Sequence, residues 1–397
     1  MDSSFDLTRA RRETRYCEEM IHFNNAGAAL MPAPVADALH AYLQKEERYG
    51  GYETADAEQA ALARFYAAAA ELLNCTPDEI AFAESATRAW DMAFYSFRFK
   101  PGDKILTSIP EYGSNIIAYL QQVRRTGAEL VYIPNDEYGQ IDVRALENQI
   151  DARVKLIAIS HIPTGGGLVN PAAAVGRAAN SAGIPFLLDA CQSMGQLPLD
   201  VAEIGCDLLS GTGRKYLRGP RGTGVLYVRR SFIRQLEPPF LDQHSATLTA
   251  PNAFEIRSDA RRFENWEQYM AGKAALGVAI DYAVSYGIAA IQARVYGLAD
   301  SLRARLNDMT GVTVADEGRE KCGIVTFTAA QLPADVIKRQ LKAHGINVSV
   351  SDGSGTFVSF QERGITALVR ASVHYYNTEE EIDRFIEILA SILDATL

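Results

Sequence analysis

The sequence predicts an α/β fold: a mostly parallel central sheet covered by helices, followed by a smaller C-terminal α+β domain. Three observations carry this prediction. Short apolar runs alternate with helical stretches between about residues 79 and 230. Polar clusters recur just after those runs, at Ser85–Arg88, Glu111–Asn115, His161–Gly167, Asp189–Gln192 and Thr212–Lys215. In an open parallel sheet the chemistry collects at such strand ends. The 397 residues exceed one ordinary core, which favours a large domain joined to a smaller one.

Taken in order, residues 1–20 read as an N-terminal arm, 21–285 as the large domain and 286–397 as the small one. The arm lacks the apolar core of a signal peptide, and Arg11, Arg12 and Arg15 fit a surface helix. Residues 34–48 and 54–73 read as helices, the second rich in Ala, Leu and Glu with Thr54 or Asp56 as its cap. Strands follow at EIAFAE (79–84), KILTSI (104–109), ELVYIP (129–134), VKLIAISH (154–161), IPFLLDA (184–190), DLLSG (207–211) and GVLYVR (224–229). Helices at 87–98, 114–126, 142–150 and 171–182 separate most of them, and one or two long helices over 267–306 lead out of the large domain. The small domain is predicted to hold strands 312–316, 322–329, 346–350 and 367–373. Its helices fall near 333–343 and 378–393, the latter opened by a Thr378/Glu381 capping box.

Composition narrows the function. A net charge of −10 argues against a nucleic-acid scaffold. Cys17, Cys75, Cys191, Cys206 and Cys322 show no CxxC spacing and read as reduced thiols of a cytoplasmic protein. Six histidines form no HExxH, so no metal is expected, and no apolar window reaches membrane-spanning length.

The stretch GTGRKYLRGPRGTG (211–224) fits neither GxxxxGK[ST] nor a strand-borne GxGxxG. A lysine at a buried strand end, beside Thr212 and Arg214, suits an aldehyde cofactor that also carries a phosphate. Lys215 would form the imine while the hydroxyl and guanidinium hold the phosphate. A solvated basic turn is the plain alternative. Asp189 ends the apolar run IPFLLD, where a carboxylate needs a partner. The ring nitrogen of pyridoxal 5'-phosphate supplies one, since it must stay protonated to draw electrons. Gln192 would donate to the cofactor's phenolic oxygen. Ser85, Ala86 and Thr87 form a phosphate seat at a helix start, or an ordinary cap. Tyr112 offers a ring to stack on the cofactor, or packs at the rim. His161 is a candidate acid/base or a neutral loop histidine. Arg370, in an apolar strand, would hold a substrate carboxylate or a structural ion pair.

These residues resemble those of the class V aminotransferase family, fold-type I pyridoxal-phosphate enzymes. The resemblance runs from FNNAGAAL (23–30) to VRASVHYYNTEEEIDRF (369–385) and rests on DACQ, TGRKYLRGPRGTG and the Arg-Ala-Ser…Tyr-Asn-Thr run. It implies Lys215, Asp189 and Tyr112 as catalytic residues. Ser85, Ala86, Thr87, Tyr112, Thr164, Asp189, Gln192, Thr212, Arg214 and Lys215 would bind the cofactor, and Ala26, Tyr52, Thr164 and Arg370 the substrate. It also implies a homodimer with shared active sites, lined by residues 48–54 and 262–267. RYGGYET, PEYGSN and RKYLRGPRG look closest to hercynylcysteine sulfoxide lyase and isopenicillin N epimerase-like members. VSVSDGSGTFVSFQERGITALVRAS (348–372) has no cysteine where desulfurases carry their nucleophile, which sets the chain apart from cysteine desulfurases in this reading. The expected reaction is C–S β-elimination from a cysteine conjugate after Lys215 removes the Cα proton. Transamination and epimerisation are the alternatives, and a cofactor-free scaffold is the non-enzymatic one.

Overall fold

All seven strands expected between residues 79 and 230 form in the computed structural model, which describes residues 5–395. They make one sheet, in the spatial order Ile80–Ala83, Gly224–Val228, Leu208–Thr212, Phe186–Asp189, Val154–Ser160, Lys104–Ser108, Glu129–Ile133. Only Gly224–Val228 runs against the others, being antiparallel to both its neighbours. The strands read as apolar runs because both faces are covered. Successive side chains feed two separate cores: Ile157, Ile159, Leu188 and Leu209 enter one, Leu156, Ala158, Leu187 and Leu208 the other. Helices Ala33–Tyr49, Gln59–Leu73 and Met270–Tyr286 contribute to the first core, Ala86–Phe94 and Gly113–Thr126 to the second.

Several elements depart from the sequence reading. The single helix expected over 54–73 is two, Gly51–Ala57 and Gln59–Leu73, broken at Glu58. The segment 267–306 agrees with the reading of one or two long helices: it forms two, Met270–Tyr286 and Ile288–Asn307, parted at Gly287, whose φ of 79° favours glycine. The strand expected over 346–350 divides into Ile346–Asn347 and Ser349–Asp352. A hairpin, Ala246–Ala250 with Ala253–Ile256, was not foreseen; its exposed pattern carries no burial signal.

The C-terminal sheet has four antiparallel strands in the order Val312–Val314, Ile324–Ala329, Ala367–Ser372, Ser349–Asp352. Helices Ala334–Ala343 and Glu379–Asp394 accompany it, the latter with the expected Thr378/Glu381 capping box. Early residues join this end of the chain. Ile21–His22 pairs with Ile346–Asn347, and Asn24 bridges to Ser372. The segment after them is thereby held against the end of the large sheet. Among the described residues no single helix is long and apolar enough to cross a membrane.

Candidate active site

Adjacent strands deliver the first polar side chains in register. Ser160 pairs with Asp189, and Asp189 with Ser210 on the next strand. Thr212 ends that strand, and Arg214 and Lys215 lie just beyond it. Opposite, helix Ala86–Phe94 begins at Ser85, whose hydroxyl accepts from the Arg88 N–H at 3.1 Å. A cleft that opens to solvent lies between these elements. Ser85, Ala86, Thr87, Tyr112 and Thr164 line it, with Asp189, Gln192, Thr212, Arg214 and Lys215. All ten residues expected to bind the cofactor therefore meet in one place.

Lys215 is buried, and no group among the described residues hydrogen-bonds its ammonium. Burial pulls its pKa down to about 8; Cys191 and Asp189 oppose the shift, while Arg214 and Arg370 add to it. Near neutral pH an appreciable fraction is the free amine that nucleophilic or base chemistry requires. Asp189 is buried too. Its Oδ1 accepts from the Cys191 N–H at 2.9 Å and its Oδ2 from Asn115 Nδ2 at 3.0 Å. A carboxylate has about four acceptor sites, so capacity remains for a donor in the cleft.

The expected substrate residues form a chain beside it. Gln192 Nε2 donates to the Ala26 carbonyl at 3.2 Å and to Thr164 Oγ1 at 3.3 Å. Arg370 Nη1 donates to the same hydroxyl at 2.6 Å and to the Thr164 carbonyl at 3.1 Å. Arg370 is buried with no carboxylate partner among the described residues, and its Nε has no hydrogen bond. An uncompensated buried guanidinium costs several kcal/mol. An arriving anion would relieve it. Gln192 departs from expectation in one respect: its N–H groups are engaged, and the atom without a partner is the acceptor Oε1. Arg214 lines the cleft, but its guanidinium also reaches the Gly27 carbonyl, while its own carbonyl accepts from Ala29 N–H at 2.9 Å. It thus ties the 24–30 segment to the Lys215 loop.

Two candidates lie elsewhere within the chain. Tyr52 is 69% exposed and lines a separate cavity with Trp266 and His244. His161 follows Ser160 on an extended chain, where alternate side chains take opposite faces. Ser160 and Ile162 line the cleft and His161 does not. Burial lowers its pKa to about 4, which keeps it neutral near pH 7.

Trp90, Asn115, Ser160, Ile162 and Cys191 also line the cleft and were not foreseen. Trp90 was legible in principle, one helical turn after Ala86 and Thr87. Cys191 sits within DACQ; burial and the Asp189 charge hold it as a thiol.

The residues present fit pyridoxal 5'-phosphate. Unpaired N–H groups of the first turn at Ala86 and Thr87, with the hydroxyls of Thr87 and Thr212, suit a phosphate. Gln192 Oε1 and Arg370 Nε are buried polar atoms without a partner that a cofactor and substrate would satisfy, and the Lys215 amine is likewise free of hydrogen bonds among the described residues. No cluster of metal-ligating side chains occurs among the described residues.

Comparison with known proteins agrees. The aminotransferase class-V family matches residues 21–385. A probable cysteine desulfurase of Methanothermobacter thermautotrophicus is 28% identical over 390 residues, covering 96% of this chain and 97% of that protein. One from Xylella fastidiosa is 31% identical over 386 residues, covering 94% and 91%. The apo cysteine desulfurase of Thermococcus onnurineus superposes with a TM-score of 0.90 at 25% identity, covering 97% of both chains. These matches overturn the separation from cysteine desulfurases drawn from the sequence. That separation rested on one missing side chain in one segment, whereas the likeness spans nearly the whole chain. With its cleft built for that cofactor and its length matched almost throughout, the chain belongs to the class V aminotransferase family and is a pyridoxal-phosphate-dependent enzyme.

Proposed function

We propose that this enzyme breaks the Cβ–S bond of a cysteine-related amino acid, and that it does so by β-elimination from a cysteine conjugate. The observation that carries an amino-acid substrate is Arg370, a buried guanidinium with no carboxylate partner among the described residues, joined through Thr164 to the cleft that holds Lys215. A substrate α-carboxylate bound bidentately would satisfy it. The relatives named as probable cysteine desulfurases support a sulfur-bearing side chain.

When bound, pyridoxal phosphate supplies an aldehyde carbon and a ring that withdraws electrons from Cα. The protein supplies the rest. Thr87, Thr212 and the helix start at Ala86 would hold the phosphate, Tyr112 would offer its ring to the cofactor, and Asp189 would keep a proton on the ring nitrogen. Arg370 fixes the carboxylate, so that the Cα proton faces the Lys215 amine. Lys215 takes that proton and the sulfur departs with the Cβ–S electron pair. With water, the net products are a thiol, pyruvate and ammonia.

A second reading is favoured by the relatives' names: sulfur passes from cysteine to an acceptor thiol, leaving alanine and a persulfide. Incubation with L-cysteine and with S-substituted cysteines separates the two. Pyruvate formed in step with thiol supports elimination, and alanine formed in step with persulfide supports transfer. Product that appears only when an oxo acid is added would overturn both. Lys215→Ala should abolish turnover in every case.

We further read the protein as a cytoplasmic homodimer. Five free cysteines support the compartment, and the exposed side chains of Tyr52, Trp266, Leu248 and Phe254 support the dimer.

A further inference from the structure

Behind Asp189 lies a second buried carboxylate. Glu111 accepts six hydrogen bonds: on Oε1 from Tyr112 N–H, Asn115 Nδ2 and Ser160 Oγ, and on Oε2 from Thr107 Oγ1, Ser108 Oγ and Ser160 N–H. Three of the six come from N–H groups that cannot accept, which favours the ionised form, whereas burial and the nearby Asp189 charge push its pKa up. No cation pairs with it among the described residues. Asn115 joins the two acids. Its one amide nitrogen donates to Glu111 at 2.9 Å and to Asp189 Oδ2 at 3.0 Å, which engages both of its N–H bonds between carboxylates.

Two strand ends and a helix start meet at Glu111: Lys104–Ser108, Val154–Ser160 and Gly113–Thr126. That convergence alone would be served by a neutral hydrogen-bonding group. A full carboxylate aimed through an amide at the acid facing the cofactor ring is a different arrangement. We propose that Glu111 is a positioning residue for the cofactor's ring nitrogen, acting through Asn115 to fix the rotation of Asp189 and placing a second negative charge behind it.

Both effects favour a proton on a base facing Asp189. The other titratable groups around the pair do not replace Glu111. Tyr119 has its phenol pushed up by burial and by both carboxylates, Tyr132 by burial and Glu111, and Cys191 is held as a thiol. Lys215 and Arg214 stand across the cleft and oppose a further positive charge. The inference does not depend on which bond the enzyme breaks.

The test compares two cofactors. Purified enzyme is reconstituted with pyridoxal 5'-phosphate or with the analogue whose ring nitrogen is replaced by carbon, and dissociation constants are measured by fluorescence. For Glu111→Gln, affinity for pyridoxal phosphate should fall about tenfold, the equivalent of one unit of proton affinity, while the carbon analogue changes by less than about twofold. Asn115→Ala should show the same selectivity, and it decides the matter if the glutamine variant does not fold. Equal losses for both cofactors would mean a merely structural role and overturn the proposal. So would no loss for either.

Discussion

Lys215 holds an ammonium group in the interior without a hydrogen-bonding partner among the described residues, and that has a measurable signature. Its proton affinity falls from the ordinary 10.5 to about 8, chiefly through burial. Between those values the unfolded chain binds more protons than the folded one, so this site's contribution to stability rises with pH. Below pH 8 the buried charge destabilises the cofactor-free protein. Lys215→Met should therefore raise the melting temperature of cofactor-free enzyme at pH 7, with the gain shrinking between pH 8 and 10.5. A gain that stays constant across that range would show that the lysine's charge is not the cause. Arg370 makes the complementary case. Arg370→Lys keeps the charge and loses the planar fork, removing one charged hydrogen bond to the substrate at a cost of roughly 1.5–3 kcal/mol. On the proposed reading, kcat/KM should fall by about ten- to a hundredfold for amino acids. An unchanged kcat/KM would remove Arg370 from substrate binding.

At the scale of elements, the segment without a cysteine is a close-fitting cover. Gly113 N–H donates to the Gly355 carbonyl at 3.0 Å, and a Cβ on Gly113 would stand 2.2 Å from the Ser354 carbonyl oxygen. On the other side, a Cβ on Gly165 would meet Thr356 Oγ1 at 2.3 Å. The 352–356 loop is thus seated between two glycines beside Tyr112 and Thr164, both of which line the cleft. Gly113→Ala improves helix propensity at the start of Gly113–Thr126, so a loss of function there would be steric. The expected result is faster hydrogen exchange in residues 352–357 and a raised KM, with little change in the unfolding midpoint. Unchanged exchange would mean that the loop is not held by this contact. None of this was legible in the sequence, because it requires Gly113 and Ser354 to be adjacent. Lys215, Asp189 and Thr87 were legible because each stands where an apolar run stops, a local feature. The Glu111 arrangement was not. It depends on Lys104–Ser108 lying beside Val154–Ser160, a pairing that periodicity does not reveal. The same limit explains Tyr52, which the family pattern placed with the substrate and which one chain alone leaves in a different cavity.

At the scale of the whole molecule, that second cavity bears on assembly. Tyr52 and Trp266 line it, and Trp266 N–H donates to Asp242 Oδ2 at 2.7 Å. Asp242 in turn borders a further cavity, lined by Leu248 and Phe254 of the hairpin. Tyr52, Trp266, Leu248 and Phe254 are all exposed apolar side chains at these two cavities, with Leu248 77% exposed. Exposed large apolar side chains that gather in one region mark interaction sites. A second copy is the occupant the homodimer reading requires, and a closed two-fold arrangement would bury the same face on both subunits. Sedimentation should give twice the 43.4 kDa of one chain for the wild type. Leu248→Asp, which places a charge on that face and breaks no packing inside the subunit, should shift the protein toward monomer while leaving its circular dichroism unchanged. If residues 48–54 and 262–267 complete the partner's cleft, the monomeric variant should also lose turnover although Lys215, Asp189 and Arg370 are untouched. A wild type that sediments as a monomer at full activity would sink both the dimer and the shared site. A monomeric variant with full activity would leave the dimer standing and confine the active site to one chain.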